Sequence, residues 1–487
     1  MNRPLSLLPT FLISTLPGGC SGKSTTIDFD RDANFSQFKT FAALLAAAMS
    51  FALSAESLAA EITVDGTTCT LANAIRSANT DSSVRGCTVG SGADTINLTV
   101  DVNIVTPENV PDSVGMPDIT SSITIRGNGH NIARTGAGTF LIFRVASNGE
   151  LTLERLTVKD GGGDGFGGNG GGVLIEQGIL IVLDSTFTGN KAAKGAGIMN
   201  FAGELGILGS TFENNTAASV GGGVENDSGT TIIVNSTFSG NKAMDSGTRG
   251  GSAVDNLSGT VTVVHSTFAG NTAVENTSAA IFAHSTFNVQ SSIFDANNTP
   301  ASCDGTAGFT DLGNNLGEDC PGVAVQPLTG FNIDLEDNGG PTKTHASFEG
   351  SSAINKAGQC GLAKDQRGSL RFDGKCDSGA YEFAAKCRVL TFENQDFSTG
   401  STLDYSRCVI EVGPNVGIKN STTVIFTAGK HVVLKNGFSV DQLSKLQVFL
   451  DPSLDTSMVT SLGDVQRALR QARRPTGIGP FSSAVRP

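Results

Sequence analysis

Glu225 and Asp255 are the two carboxylates in this 487-residue chain whose spacing could do chemistry together. They hold the same place in two versions of one phrase, Gly223-Val224-Glu225-Asn226 and Ser252-Ala253-Val254-Asp255-Asn256. If both phrases are strands in register with the valines inward, alternation turns the acids outward on neighbouring strands, about 5 Å apart. That separation suits a glycosidase carboxyl pair or a cation site. The equivalent flanking positions are Met199 and Phe282, so the acidic column stops at two. No Arg or Lys falls in register to steady an acidic sugar.

Other chemistry-bearing residues were weighed in the same way. Asp160 and Asp164 flank a glycine-rich loop, residues 160–172, of the composition found in calcium-binding Gly-Gly-x-Gly-x-Asp repeats. Its spacing does not recur at nine residues, which favours a turn between coils. His130, His265, His284, His345 and His431 are scattered, with no Cys or Asp at metal-ligand spacing. Gly18-Gly19-Cys20-Ser21-Gly22-Lys23-Ser24 resembles a phosphate loop but has Pro17 where the first glycine belongs and lacks the strand and helix around it. No cofactor is expected.

The elements that must position these residues are announced by repetition. The phrase Ser-Thr-Phe-x-x-Asn and its variants carry Phe187, Phe212, Phe238, Phe268 and Phe294, in steps of 25, 26, 30 and 26 residues. Asn190, Asn215, Asn241, Asn271 and Asn297 keep the same beat, and Ser185, Ser210, Ser236 and Ser266 belong to this ladder rather than to a catalytic triad. Runs such as Thr230-Thr231-Ile232-Ile233-Val234 are short, β-branched and bounded by Gly, Asn or Ser, which is strand composition. Three such strands and three turns make one coil of a right-handed parallel β-helix. Stacked coils bring the Phe residues into an internal column and the Asn residues to turns, where their amides bond backbone and one another.

Composition agrees with an extracellular β-protein. Gly numbers 61, Trp is absent, Tyr numbers 2, and the net charge of −13 argues against nucleic acid. Beyond Cys20, eight cysteines fall as local couples: Cys69 with Cys87, Cys303 with Cys320, Cys360 with Cys376, and Cys387 with Cys408. Eight cysteines allow about 105 connectivities, so sequential pairing is one choice among many. Lys39, the apolar run 41–53 and Ser57-Leu58-Ala59 read as an export signal, which implies an oxidising compartment. No later segment is long and apolar enough to span a bilayer. Residues 1–40 carry a second, lipoprotein-like signal ending at Cys20, and residues 27–41 resemble the start of small bacterial envelope lipoproteins; we read 1–59 as a non-native-looking leader plus signal peptide.

Past the signal, Cys69-Thr70-Leu71-Ala72-Asn73-Ala74-Ile75 resembles the CSLREA motif that opens secreted bacterial β-helix proteins, with Ala72 and Asn73 in place of its Arg and Glu. Asp365-Gln366-Arg367-Gly368 and Cys376-Asp377-Ser378-Gly379-Ala380-Tyr381-Glu382-Phe383 resemble the close of the choice-of-anchor Q domain. The repeats between are similar to those of polymorphic outer-membrane proteins. Thr423-Val424-Ile425-Phe426-Thr427-Ala428-Gly429-Lys430-His431-Val432 resembles the three-coathanger stack domain of surface proteins. The expected organisation is an N-terminal cap over 60–95, a parallel β-helix over 96–384, a stacked β module over 385–452 and a flexible tail over 453–487. That tail carries Arg467, Arg470, Arg473 and Arg474.

These resemblances imply an exported surface or secreted β-helix protein and bring no established activity with them; since the acidic column stops at two, the chain is read as non-catalytic, binding polysaccharide or another cell-surface polymer, a host surface or another envelope component. A monomer is expected. A polysaccharide lyase or glycoside hydrolase of the β-helix type is the alternative.

Overall fold

The computed structural model describes residues 59–450, apart from short internal stretches, together with Ser482–Ser483. Asp164, Cys360, Cys387, the signal before Ala59 and the rest of the tail lie outside the described residues, as do the side chains of Cys408 and His431.

The chain opens with the strand Glu61–Val64 and the helix Leu71–Thr80. Thr70 caps the helix, its hydroxyl accepting the Asn73 N–H at 3.3 Å. Leu71, Ala74, Ile75 and Ala78 recur at helical spacing and are all buried, against Glu61–Val64 and the strands Asp94–Leu98 and Ser122–Arg126. A Cys69–Cys87 disulfide anchors the start of this cap.

Parallel pairing then stacks coil on coil. Among the described residues the first sheet runs through ten strands from Glu61–Val64 to Phe309–Asp311. The second runs through nine from Val102–Ile104 to Leu316–Gly317, and the third through seven from Phe143–Val145 to Cys303–Asp304. The protein is thus a parallel β-helix, and the phenylalanines form its internal column. Phe187, Phe212, Phe238, Phe268 and Phe294 stack face to face with ring centroids 4.8 to 5.4 Å apart, all fully buried.

The coil corners show why Ser and Asn recur. Arg155, Asp184, Asn235, His265 and Ser291 turn the first corner at positive φ, and each is followed by a buried residue, Ser in the later coils. Ser185, Ser210, Ser236 and Ser266 each have the backbone N–H bonded to the serine hydroxyl of the next coil. At the second corner each Asn amide donates to the next: Asn190 to Asn215, Asn215 to Asn241, Asn241 to Asn271, and Asn271 to Asn297, at 2.9 to 3.0 Å. A third ladder of the same kind joins Asn200, Asn226 and Asn256. Corners must bury polar backbone, and these side chains satisfy it coil by coil.

Two different arrangements share the span expected as one β-helix over 96–384. Coil strands end at Leu316–Gly317, near the Cys303–Cys320 disulfide. Described residues between 326 and 383 then run back along the outside of the second sheet as a strap with no strand of its own. Cys376, a residue of the strap, is disulfide-bonded. After the strap a smaller parallel stack follows. Val389–Phe392, Thr402–Val412, Thr423–Leu434 and Lys445–Leu450 pair in order in one sheet, with Asp396–Phe397, Gly417–Ile418 and Ser439–Val440 in another. Ile410, Val412, Val424, Val432 and Leu446 belong to its own core.

Candidate functional site

Register places Glu225 directly beside Asp255, and Val224 beside Val254. Met199 and Phe282 are the next residues above and below. The expected outward exposure of the acids is not found. Glu225 and Asp255 are 0% and 1% exposed. Both do point away from the coil interior, but backbone lies over them, Gly221 against Glu225 and Gly251 against Asp255. A Cβ on Gly221 would sit 2.7 Å from that of Glu225, and the Gly251 N–H donates to Asp255 Oδ1 at 2.8 Å.

Neither carboxyl oxygen of Glu225 receives a hydrogen bond from any donor. What lies within its reach is the Asp255 carboxylate, itself an acceptor. The pair is therefore satisfied only when it shares a proton, Glu225 donating to Asp255. Burial, and then the Asp255 charge, hold the Glu225 carboxyl well above its ordinary range. Burial pushes Asp255 up to about 6, opposed by the Gly251 N–H, His284 and Lys194. Lys194 and His284 were missed by sequence reasoning, because neither occupies the acids' own column.

Linkage gives this pair a definite sign. The native state keeps protons that the unfolded chain releases near the ordinary carboxyl values, so its stability is greatest below those values and declines as pH rises through the folded ones. We expect wild type to lose more stability than a Glu225→Gln variant as the pH is raised from about 5 to 8. Denaturant titrations of both proteins across that range measure the difference, which reports on the coupled Glu225–Asp255 pair and cancels the groups distant from it. Parallel pH profiles would show that the two acids do not share a proton.

Asp160 is exposed at a corner, its backbone carbonyl taken by Arg134 Nε at 2.7 Å. Among the described residues no group of three or more His, Cys, Asp or Glu side chains could hold a metal ion. His265 is buried beneath the strap and His345 within it, against Ser239 of the coil, and burial lowers them to about 3 and about 4. His284 is exposed beside the Phe282 ring.

The strap holds a dense buried polar cluster, built from residues of the terminal motif together with Arg371, which lies between the motif's two halves and was not singled out in the sequence. Gln366 Nε2 donates to Thr211 Oγ1 at 2.8 Å and its Oε1 accepts from Thr237 Oγ1 at 2.6 Å. Arg371 donates to Glu382 Oε2 and Asn235 Oδ1, both at 2.8 Å, and to the Asp377 and Gly379 carbonyls. Burial outweighs this pairing at both ends: it pushes Glu382 up to about 7 and Arg371 below its ordinary value. Asp365 Oδ2 takes the Arg367 guanidinium and the Glu382 N–H. The arrangement fastens the strap to two successive coils.

No protein-family model matches the chain, and no curated protein matches it. Among solved structures, the PL6 family alginate lyase AlyGC is similar over 81% of this chain and 61% of its own length, at 11% identity and a TM-score of 0.27. The lyase activity is a property of that protein.

Proposed function

We propose that this chain is an exported β-helix protein of the surface or secreted type, non-catalytic, that binds a polymer or another surface component. One observation carries the reading: the paired carboxylates that could have served hydrolysis or elimination are fully buried between Met199 and Phe282. The Cys69–Cys87 and Cys303–Cys320 disulfides suit an oxidising compartment. Among the described residues no helix is long and apolar enough to cross a membrane. The CSLREA and choice-of-anchor Q resemblances, though matched by no family model, point to the same class.

Binding would use a face the molecule leaves open. The strap covers much of the second sheet, and the acids' column on the third is buried. On the first sheet Thr95, Thr124, Thr152 and, further along, Thr230, Thr260 and Thr262 remain half-exposed at successive rungs. The test is a panel of neutral and acidic polysaccharides, measured for both retention and chain cleavage with the purified protein. Retention without cleavage is expected. Cleavage that a Glu225→Gln, Asp255→Asn variant loses while staying folded would establish the lyase or hydrolase reading instead. Paired alanines are not expected to be neutral, since both sites are buried.

A further inference from the structure

The threonine column under the strap continues past the strap's edge. Thr157, Thr186, Thr211, Thr237 and Thr267 are successive register partners. The corner residues Arg155, Asp184, Gly209, Asn235 and His265 keep step beside them, each at positive φ. On the last three of these coils the strap satisfies both columns. Thr342 Oγ1 donates to the Gly209 carbonyl at 2.9 Å, and Thr211 Oγ1 donates to the Lys343 carbonyl at 2.7 Å. Asn235 Nδ2 donates to the Lys364 carbonyl, Thr237 Oγ1 to Gln366 Oε1, and the Ala380 N–H to Thr267 Oγ1.

On the two preceding coils the same columns are open. Thr157, Thr186, Arg155 and Asp184 line a groove of about 350 Å³, closed at one end by Pro341 of the strap and at the other by Asn128. Among the described residues, none of the first four side chains makes a hydrogen bond or an ion pair. The groove is therefore the strap's track without the strap.

We propose that this groove binds an extended peptide segment of a partner protein, laid along the threonine column as the strap is on the neighbouring coils. A backbone carbonyl or a side-chain carboxamide accepts the Thr157 and Thr186 hydroxyls, in the manner of Lys343 and Gln366. An acidic side chain of the same peptide pairs with the Arg155 guanidinium, which is exposed and bidentate in geometry. Polypeptide is favoured over saccharide because the occupant of the adjoining rungs is polypeptide and because no aromatic side chain lines the groove for a sugar ring to stack on. This goes beyond the polymer-binding reading and stands without it.

The test uses a phage-displayed random dodecapeptide library selected on the purified chain, with a Thr157→Val, Thr186→Val variant for counter-selection. Selected sequences are synthesised with a fluorophore and titrated by anisotropy. The expected result is enrichment of peptides carrying Asn or Gln together with Asp or Glu, with affinity falling at least about tenfold in the variant. Arg155→Ala, at an exposed position, provides a second variant with the same expected loss, and thermal melts matching wild type show both to be folded. Failure to select any peptide whose binding depends on these residues overturns the proposal. So does a groove-dependent affinity for oligosaccharides of alginate, cellulose or chitin in place of peptide.

Discussion

Replacing Phe238 by Asp is expected to abolish cooperative folding of the central coils. Phe238 lies 4.8 Å from the Phe212 ring and 5.0 Å from the Phe268 ring, with no exposed surface. Truncating a buried phenylalanine costs about 3–5 kcal/mol from lost packing alone. Aspartate adds an ionised group with no donor to meet it, and burying an uncompensated charge adds several kcal/mol more. The sum is comparable to the whole stability of an ordinary domain, roughly 5–15 kcal/mol. Because each coil is supported only by its neighbours, damage should spread from this coil in both directions before it reaches the cap. Circular dichroism melts and limited proteolysis measure this: cleavage should begin between residues 212 and 268. A variant that melts with wild type and resists protease would show that the phenylalanine column does not hold the coils.

Arg371→Met should detach the strap while leaving the coils standing. Removing one partner of a buried pair costs about 3–5 kcal/mol, most of it from the charge left behind. Here that charge is Glu382, which also accepts the Asp377 N–H at 2.9 Å. Glu382 already sits up to about 7, so a protonated form is close at hand in the variant. The loss should accordingly be smaller at pH 6 than at pH 8, since below the folded value the orphaned carboxyl is neutral. Hydrogen exchange read by mass spectrometry separates the two parts. Amides of Gln366, Cys376 and Gly379, which bond to the Ala380, Gly358 and Ser291 carbonyls, should lose protection. Coil amides around Phe212 and Phe238 should keep theirs. Equal loss in both would mean that strap and coils unfold as one unit.

What the sequence made legible follows from how each part is stabilised. The coils rest on like residues stacked at a fixed step, so the phenylalanine and asparagine ladders were readable as a period. The strap obeys no period. Gln366 finds Thr211 and Thr237, and Arg371 finds Asn235, across well over a hundred residues of chain, and no local pattern encodes such a meeting. Gln366 could be singled out only as part of a motif, without its partners, and Arg371 was not singled out. The acids show a third situation. Alternation correctly put Glu225 and Asp255 beside each other and away from the coil interior, yet it carries no information about what lies over a face. Gly221 and the Gly251 N–H contribute to that cover, and nothing in the sequence sets these two glycines apart from the others.

Coil length varies most in one place. Thirteen residues separate Ile198 from Thr211, Val224 from Thr237 and Val254 from Thr267, so over these three coils the passage from the third sheet through the first to the second keeps its length. The passage from the Asn corner to the third sheet does not: Asn190 to Ile198 takes eight residues, Asn215 to Val224 nine, and Asn241 to Val254 thirteen. Whole-coil duplication or deletion by recombination between the repeats would therefore keep the ladders in step, whereas the longer insertions gather on one edge. Lineages of this molecule can lengthen or shorten by entire rungs while one margin of the stack drifts freely, and new specificities should arise along that margin.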